Sequence, residues 1–296
     1  MLNRPCRRFT LVDAAAVLLI AAAVCLFFWR MKTLLDYRWE WQAIPQYFLF
    51  RDANTGHLRA NILLKGFFTT VKLSIWAMIP AFFLGVVSGI MGASKSRINR
   101  IVSSLYVETM RNIPSLVLVI LFYYFISSQF LDLLALDQWL RQQPGAIKKI
   151  FQILLGDHGT VNTFLSAIAA LAIYEGAYIS EIIRGGINAV PAGQREAARA
   201  LGLSGLQTFG AVILPQAVKK VASPLAGQFI STVKDSAIMS VISVQELTFQ
   251  GMELMSATFL TFEIWITITG LYFVLTFTLS RSVAALNSRA SDSGAQ

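Results

Sequence analysis

Residues 184–220 read RGGINAVPAGQREAARALGLSGLQTFGAVILPQAVKK, and the nature of the whole chain turns on this stretch. It is polar, rich in helix formers and punctuated by Gly and Pro, so it folds in water rather than lipid. Pro191 suits the first turn of a helix, where its missing N–H costs nothing. Residues 194–201, QREAARAL, are strong helix formers. Gly202 fits a stop that needs positive φ, and Ser204 fits the next N-cap. The spacing predicts a second short helix over residues 206–214, ended by Pro215. Leu201, Leu203, Leu206 and Phe209 are then available as apolar contacts. Ala197 and Ala198 leave a smooth surface that another backbone can approach. On composition alone, docking to a partner and mere connection of two helices both fit.

Outward from this loop the chain becomes apolar. Of 296 residues, 55% are hydrophobic and 14% charged, with a mean hydropathy of +0.60; a soluble chain carries about 25% charged residues. Six runs reach the roughly 20 apolar residues needed to span a bilayer: residues 11–29, 67–91, 113–131, 163–183, 224–247 and 258–280. The first follows the basic cluster Arg4, Arg7, Arg8 and could pass for a secretory leader. After Cys25, however, come bulky Leu26, Phe27, Phe28 and Trp29 in place of a small-residue cleavage site, so a retained anchor is expected. With the N-terminus inside, 13 Lys and Arg fall in inner segments and 9 in outer ones, which places both termini in the cytoplasm. The outer segment 132–160 has room for an amphipathic helix punctuated by Trp139, Ile147, Ile150, Phe151 and Leu154.

Net charge is +9, but no basic stripe interleaved with aromatics lies outside the apolar runs. The excess is that of a membrane protein orienting itself, and nucleic acid is not an expected partner. Cys6 and Cys25 cannot form a disulfide framework or a Cys-based metal site. His57 and His158 fall in different outer loops without ligand spacing, so no metal is expected.

Within the loop, Glu196-Ala197-Ala198, three residues on to Gly202, then nine to Val212-Ile213-Leu214-Pro215, resembles the EAA motif of ABC-transporter membrane subunits. Val212 stands where Ile is usual. More narrowly, the chain is similar to the permeases of polar amino acid importers, the histidine, glutamine, glutamate and arginine type. Supporting segments are Gly66-x3-Thr70-x3-Ser74, Tyr106-Val107-Glu108-x2-Arg111-x2-Pro114, and Ala177-Tyr178-x2-Glu181-Ile182-x-Arg184-Gly185-Gly186-Ile187. Gly193-Gln194, Leu214-Pro215-Gln216-Ala217, Lys234-Asp235 and Glu246-Leu247 add to these. The resemblance covers about residues 66–281. Two departures could alter substrate contacts: Asn112-Ile113 before the proline, and Ser236-Ala237-Ile238 after Asp235.

The resemblance implies an all-α polytopic membrane protein of about six transmembrane helices: a five-helix type I ABC importer core plus an N-terminal extra helix. The expected domains are residues 1–60 (anchor and outer loop), 61–285 (permease domain, with coupling loop 185–223) and 286–296 (cytoplasmic tail). It implies residence in the bacterial inner membrane and a second permease subunit, the same chain or a similar one. A periplasmic amino acid-binding protein would deliver polar amino acid substrate at the outer face, with membrane lipid around the spans. No G-x4-G-K-[ST] loop occurs, so ATP and Mg are expected on a separate ABC ATPase subunit, with no cofactor and no enzymatic activity on this chain. Gln194, Glu196, Ala197, Ala198, Gly202 and Leu203 would form the ATPase-coupling surface.

For the substrate site, ionisable groups at membrane depth are the candidates. Glu175 and Tyr178 share a helix face, as do Tyr178 and Glu181. Gln228, Ser231, Thr232 and Asp235 make a polar stripe, bordered by Lys234. Neighbouring Lys234 and Asp235 point about 100° apart on a helix and are poorly placed to neutralise each other. An amino acid needs an acceptor for its ammonium, Glu175 or Asp235, and a donor for its carboxylate, Lys234. A structural ion-pair network or gate fits Lys234 and Asp235 as well. Glu181 and Arg184, near the inner rim, fit packing or coupling. Two rivals remain at this point. A stand-alone secondary transporter or channel predicts repeat halves with broken helices, and no such repeat is visible. A membrane-embedded enzyme predicts a catalytic cluster that the spans do not carry.

Overall fold

The computed structural model describes residues 11–34, 37–52, 56–127, 129, 139–140, 142–155 and 161–293. Arg4, Arg7, Arg8, His158 and the start of the outer segment lie outside them. The chain divides into two compact units, Met1–Gln42 and Ala43–Gln296. The first holds α1 (Leu11–Leu34), apolar and exposed along most of its length, and Trp39 and Trp41, whose rings stack at 5.8 Å.

The second unit opens with a hairpin, β1 (Leu49–Arg51) against β2 (Leu58–Ala60), pinned by an Arg59–Asp52 ion pair of 3.0 Å. It continues as α2 (Ile62–Gly92), α3 (Arg97–Asn112), α4 (Ser115–Leu121), α5 (Gly145–Leu155), α6 (Val161–Asn188), α7 (Ala192–Ala200), α8 (Gly205–Gln207), α9 (Leu214–Asp235), α10 (Leu247–Thr258) and α11 (Thr261–Ser293). The architecture is all-α and polytopic. Among the described residues, α2, α6 and the Thr261–Ala285 part of α11 are each long and apolar enough to cross a membrane.

The other three expected spans differ. The first, at 11–29, is represented among the described residues by a shorter apolar stretch of α1, Leu11–Ala23. The run expected at 113–131 forms, over Ser115–Phe125, the second arm of a helix pair that bends by 107° after α3. Pro114 explains the bend, because a residue before proline is pushed out of the helical region, and Ile113 is extended at ψ 132°. The run expected at 224–247 starts earlier, as α9 from Leu214. After Asp235 the chain tightens into a 3-10 turn, Ser236–Ile242, and turns at Ser243, whose φ is +63°. Hydropathy is continuous across that break, so composition could not see it.

Small residues bring the central helices together. A Cβ on Gly89 of α2 would stand 2.7 Å from both Ile183 Cβ and Ser180 O of α6, and one on Gly85 would overlap Ile179. Gly85 and Gly89 are one turn apart, so they form a groove for the Ile ridge of α6, the close approach that small residues allow between membrane helices. Around this seam pack Ala81, Ala172, Ile187, Val190, Ile213, Ala217 and Val221.

Candidate functional site

The polar loop folds as a capped hairpin. α7 ends in a Schellman motif: Gly202 has φ +77°, its N–H donates to Arg199 O at 2.9 Å, and Leu203 N–H donates to Ala198 O at 3.1 Å. Ser204 then caps α8 in a reciprocal box with Gln207, at 3.4 and 2.9 Å. The second helix is shorter than its predicted span. After Gln207 the backbone widens into a π turn, Thr208–Ile213, and runs directly into α9. Pro215 therefore sits in the first turn of α9 instead of ending a helix. Its ring would crowd the carbonyl four residues back in a regular helix, and the wider turn relieves that.

Gln194, Glu196, Ala197 and Gly202 lie on the open side of the hairpin, and Leu203 is half-buried. Leu201 and Leu206 are 81% and 83% exposed. Ala198 does not share this face. It is buried, because α7 leans on the π turn.

The second cluster lies at the middle of α6. Glu175 is 0% exposed, and its Oε2 accepts from Gln228 Nε2 of α9 at 2.6 Å. Among the described residues, Oε1 has no hydrogen-bond partner. Thr232 and Asp235, one and two turns beyond Gln228, interact with the same carboxyl. Thr232 is buried and donates to Gln228 O at 3.0 Å; Ser231 is half-buried beside it. The structure thus brings Glu175, Gln228, Thr232 and Asp235 together. It does not bring Lys234 in: that side chain is exposed in the last turn of α9, and no ion pair joins it to Asp235 among the described residues.

Further along α6 toward Asn188, a ladder of polar groups continues. Tyr174 and Tyr178 share a hydroxyl hydrogen bond of 3.0 Å. The Arg111 guanidinium lies 5.3 Å from the Tyr178 ring centre and 3.9 Å from Glu181. Arg184 clasps Glu181 with two bonds, 2.9 and 2.6 Å. Arg111, Glu181 and Arg184 line a cavity of about 390 Å³ together with Arg100, Ser104 and Glu108. Arg111 entered the sequence reading only as part of the Tyr106-to-Pro114 segment; its place on Tyr178 comes from the packing of α3 against α6.

Glu246 had no role assigned from sequence beyond its motif. It is 0% exposed and caps α10, accepting from Phe249 N at 2.8 Å and Thr248 N at 2.9 Å. Tyr272 of α11 donates to it at 2.7 Å and Thr70 of α2 at 3.4 Å. Thr70 Oγ1 also accepts from Leu247 N at 3.1 Å. One carboxylate therefore holds three helices where the fifth span breaks. No group of three or more His, Cys, Asp or Glu that could hold a metal occurs among the described residues.

Residues 58–292 match the family described as "Binding-protein-dependent transport system inner membrane component". The chain is 32% identical over 229 residues to the "Probable glutamine ABC transporter permease protein GlnM" of Bacillus subtilis (strain 168), covering 77% of this chain and 93% of that one. It is 30% identical over 228 residues to the "Glutamine transport system permease protein GlnP" of Escherichia coli (strain K12), covering 77% and 92%. A solved structure, "Crystal structure of an amino acid ABC transporter with histidines", superposes with a TM-score of 0.61 at 33% identity, over 77% of this chain and 94% of that one.

Proposed function

Since the chain belongs to the binding-protein-dependent transport system inner membrane component family, we propose that it is the permease subunit of an ABC importer moving polar amino acids inward across the bacterial inner membrane. The relatives' names supply the substrate class. The observation that carries the coupling half of the reading is the capped hairpin, which holds Leu201 and Leu206 out at 81% and 83% exposure. Exposed leucines on a rigid, water-facing turn cost free energy unless a partner covers them. A separate ABC ATPase subunit, which binds the ATP and Mg, is the partner that covers them. Its closure pushes the hairpin and, through it, α6 and α9.

Substrate is delivered by a periplasmic amino acid-binding protein to a path between this chain and a second permease, identical or similar. In that path Glu175 accepts the amino acid's ammonium. Its Oε2 is oriented by Gln228, its buried Oε1 has no hydrogen-bond partner among the described residues, and Thr232 and Asp235 interact with the same carboxyl; Tyr178 and Ser231 complete the proposed site. Lys234 at the end of α9 faces outward and meets the substrate carboxylate only when the second subunit closes the path. Both termini lie in the cytoplasm.

The test is uptake into proteoliposomes holding the permease, its ATPase and the binding protein. Glu196→Trp and Gly202→Trp insert normally, yet amino acid uptake collapses. Full uptake by both variants with the ATPase normally bound would reject the docking surface.

A further inference from the structure

The last carbonyls of a helix have no partner within it and carry its negative dipole end. At the end of α6 two of the carbonyls there are taken by cations from either side of the coupling hairpin. Arg195, in the first turn of α7, donates from Nη2 to Ile187 O at 2.6 Å. Lys220, in the second turn of α9, donates from Nζ to Ala189 O at 2.7 Å. A side chain at Gly186 would overlap Val221, so α6 and α9 also touch backbone to side chain at this level. Between α6 and α7 the covalent link runs through Pro191, extended at ψ 139°, a joint that could swing by itself.

We propose that Arg195 and Lys220 are positioning residues forming a two-point clamp that makes the hairpin and the end of α6 move as one body. This rests on the permease reading above. Without the clamp, a push on α7 is absorbed as rotation about Pro191. With it, the push reaches α6, the helix that carries Glu175, Tyr178 and Glu181. Both bonds are charge-assisted, which is why they are strong enough to carry load; Ile187 O is shared with a longer bond from Val190 N at 3.4 Å, while Lys220 is the one donor to Ala189 O among the described residues. The neighbouring acids do not compete: Glu196 points to the open side, and Glu181 is already clasped by Arg184.

The experiment uses the whole reconstituted complex and reads amino acid taken up per ATP hydrolysed. Arg195→Met with Lys220→Met keeps the apolar stems and removes both donors. Uptake per ATP falls about tenfold, within the usual range for coupling between two sites, while ATP hydrolysis stimulated by the loaded binding protein continues. Each single variant falls part of the way, and Arg195→Lys with native Lys220 restores much of the ratio. An unchanged ratio in the double variant overturns the clamp. So does a parallel loss of uptake, hydrolysis and detergent melting temperature, which marks a merely structural role. Should the native complex accumulate amino acid without ATP, the permease reading itself has failed, a result distinct from either.

Discussion

Gly66 lies against the backbone of Leu247: a Cβ built on Gly66 would stand 3.0 Å from Leu247 Cα and 2.9 Å from Gln250 Cγ. One turn on, Thr70 Oγ1 receives the Leu247 N–H at 3.1 Å, and another turn on, Ser74 Oγ donates to Thr70 O at 2.7 Å. Gly66 and Thr70 of the Gly66-x3-Thr70-x3-Ser74 pattern thus touch the start of α10, and buried Ser74 bonds back within α2. The four-residue spacing keeps the three on one face of α2.

Gly66→Val should therefore destabilise the fold, because the neighbour it meets is backbone and cannot rotate away. Overpacking of this kind costs about 1–3 kcal/mol. Gly270→Ala, in open space on α11, is the matched control and should melt no lower than the native chain, since Ala is the better helix former by about 1 kcal/mol. Thermal unfolding in detergent compares the two, and equal midpoints would contradict the contact.

Glu246→Ala leaves two backbone N–H groups and the Tyr272 hydroxyl without their acceptor. The loss should be about 2–4 kcal/mol, the cap and the stranded donors together. Glu246→Gln keeps one acceptor oxygen and should recover part of it. The same melting experiment reads both, and a Glu246→Ala protein as stable as native would show that the carboxylate holds nothing.

Gly202→Val forces a branched side chain into the left-handed region, at a cost of roughly 1–2 kcal/mol, with no clash, since nothing lies within 4 Å of a Cβ there. The Schellman bonds should loosen, and amide hydrogen exchange at Leu203 should quicken severalfold. Gly202→Asn, which tolerates positive φ, should exchange nearly as slowly as native. Identical protection in all three proteins would mean that the turn is set by something other than φ.

Glu175→Gln keeps the shape and removes the charge. If this carboxylate receives the substrate ammonium, the apparent KM for uptake should rise about tenfold, the worth of one charge-assisted hydrogen bond, while membrane insertion stays normal. Unchanged kinetics would remove Glu175 from the site.

Much of this was legible in the chain itself. Pro191, Gly202 and Ser204 announce the hairpin because caps and turns depend on residues within a few positions of each other. The apolar runs announce α2, α6 and α11 because hydrocarbon thickness sets a length that composition can meet. The bends were harder to read. A run of apolar residues looks the same whether straight or folded back, so the turn at Ser243 passed inside an expected span; at Pro114, the edge of another, the sequence showed the proline but not the 107° angle.

Sequence by itself determined the material: a lipid-soluble chain with one water-soluble elbow and a few charges too costly to be idle. Only tertiary structure decided which partner each charge meets. Glu175 finds Gln228 53 residues away, Glu246 finds Thr70 176 residues away, and Arg195 reaches back past Pro191 to Ile187. Lys234, adjacent to Asp235 in the chain, is turned to the outside. The reason is physical. Caps and spans are settled by local geometry, but a buried charge is settled by whichever donor the packing of glycine-lined helices delivers to within 3 Å.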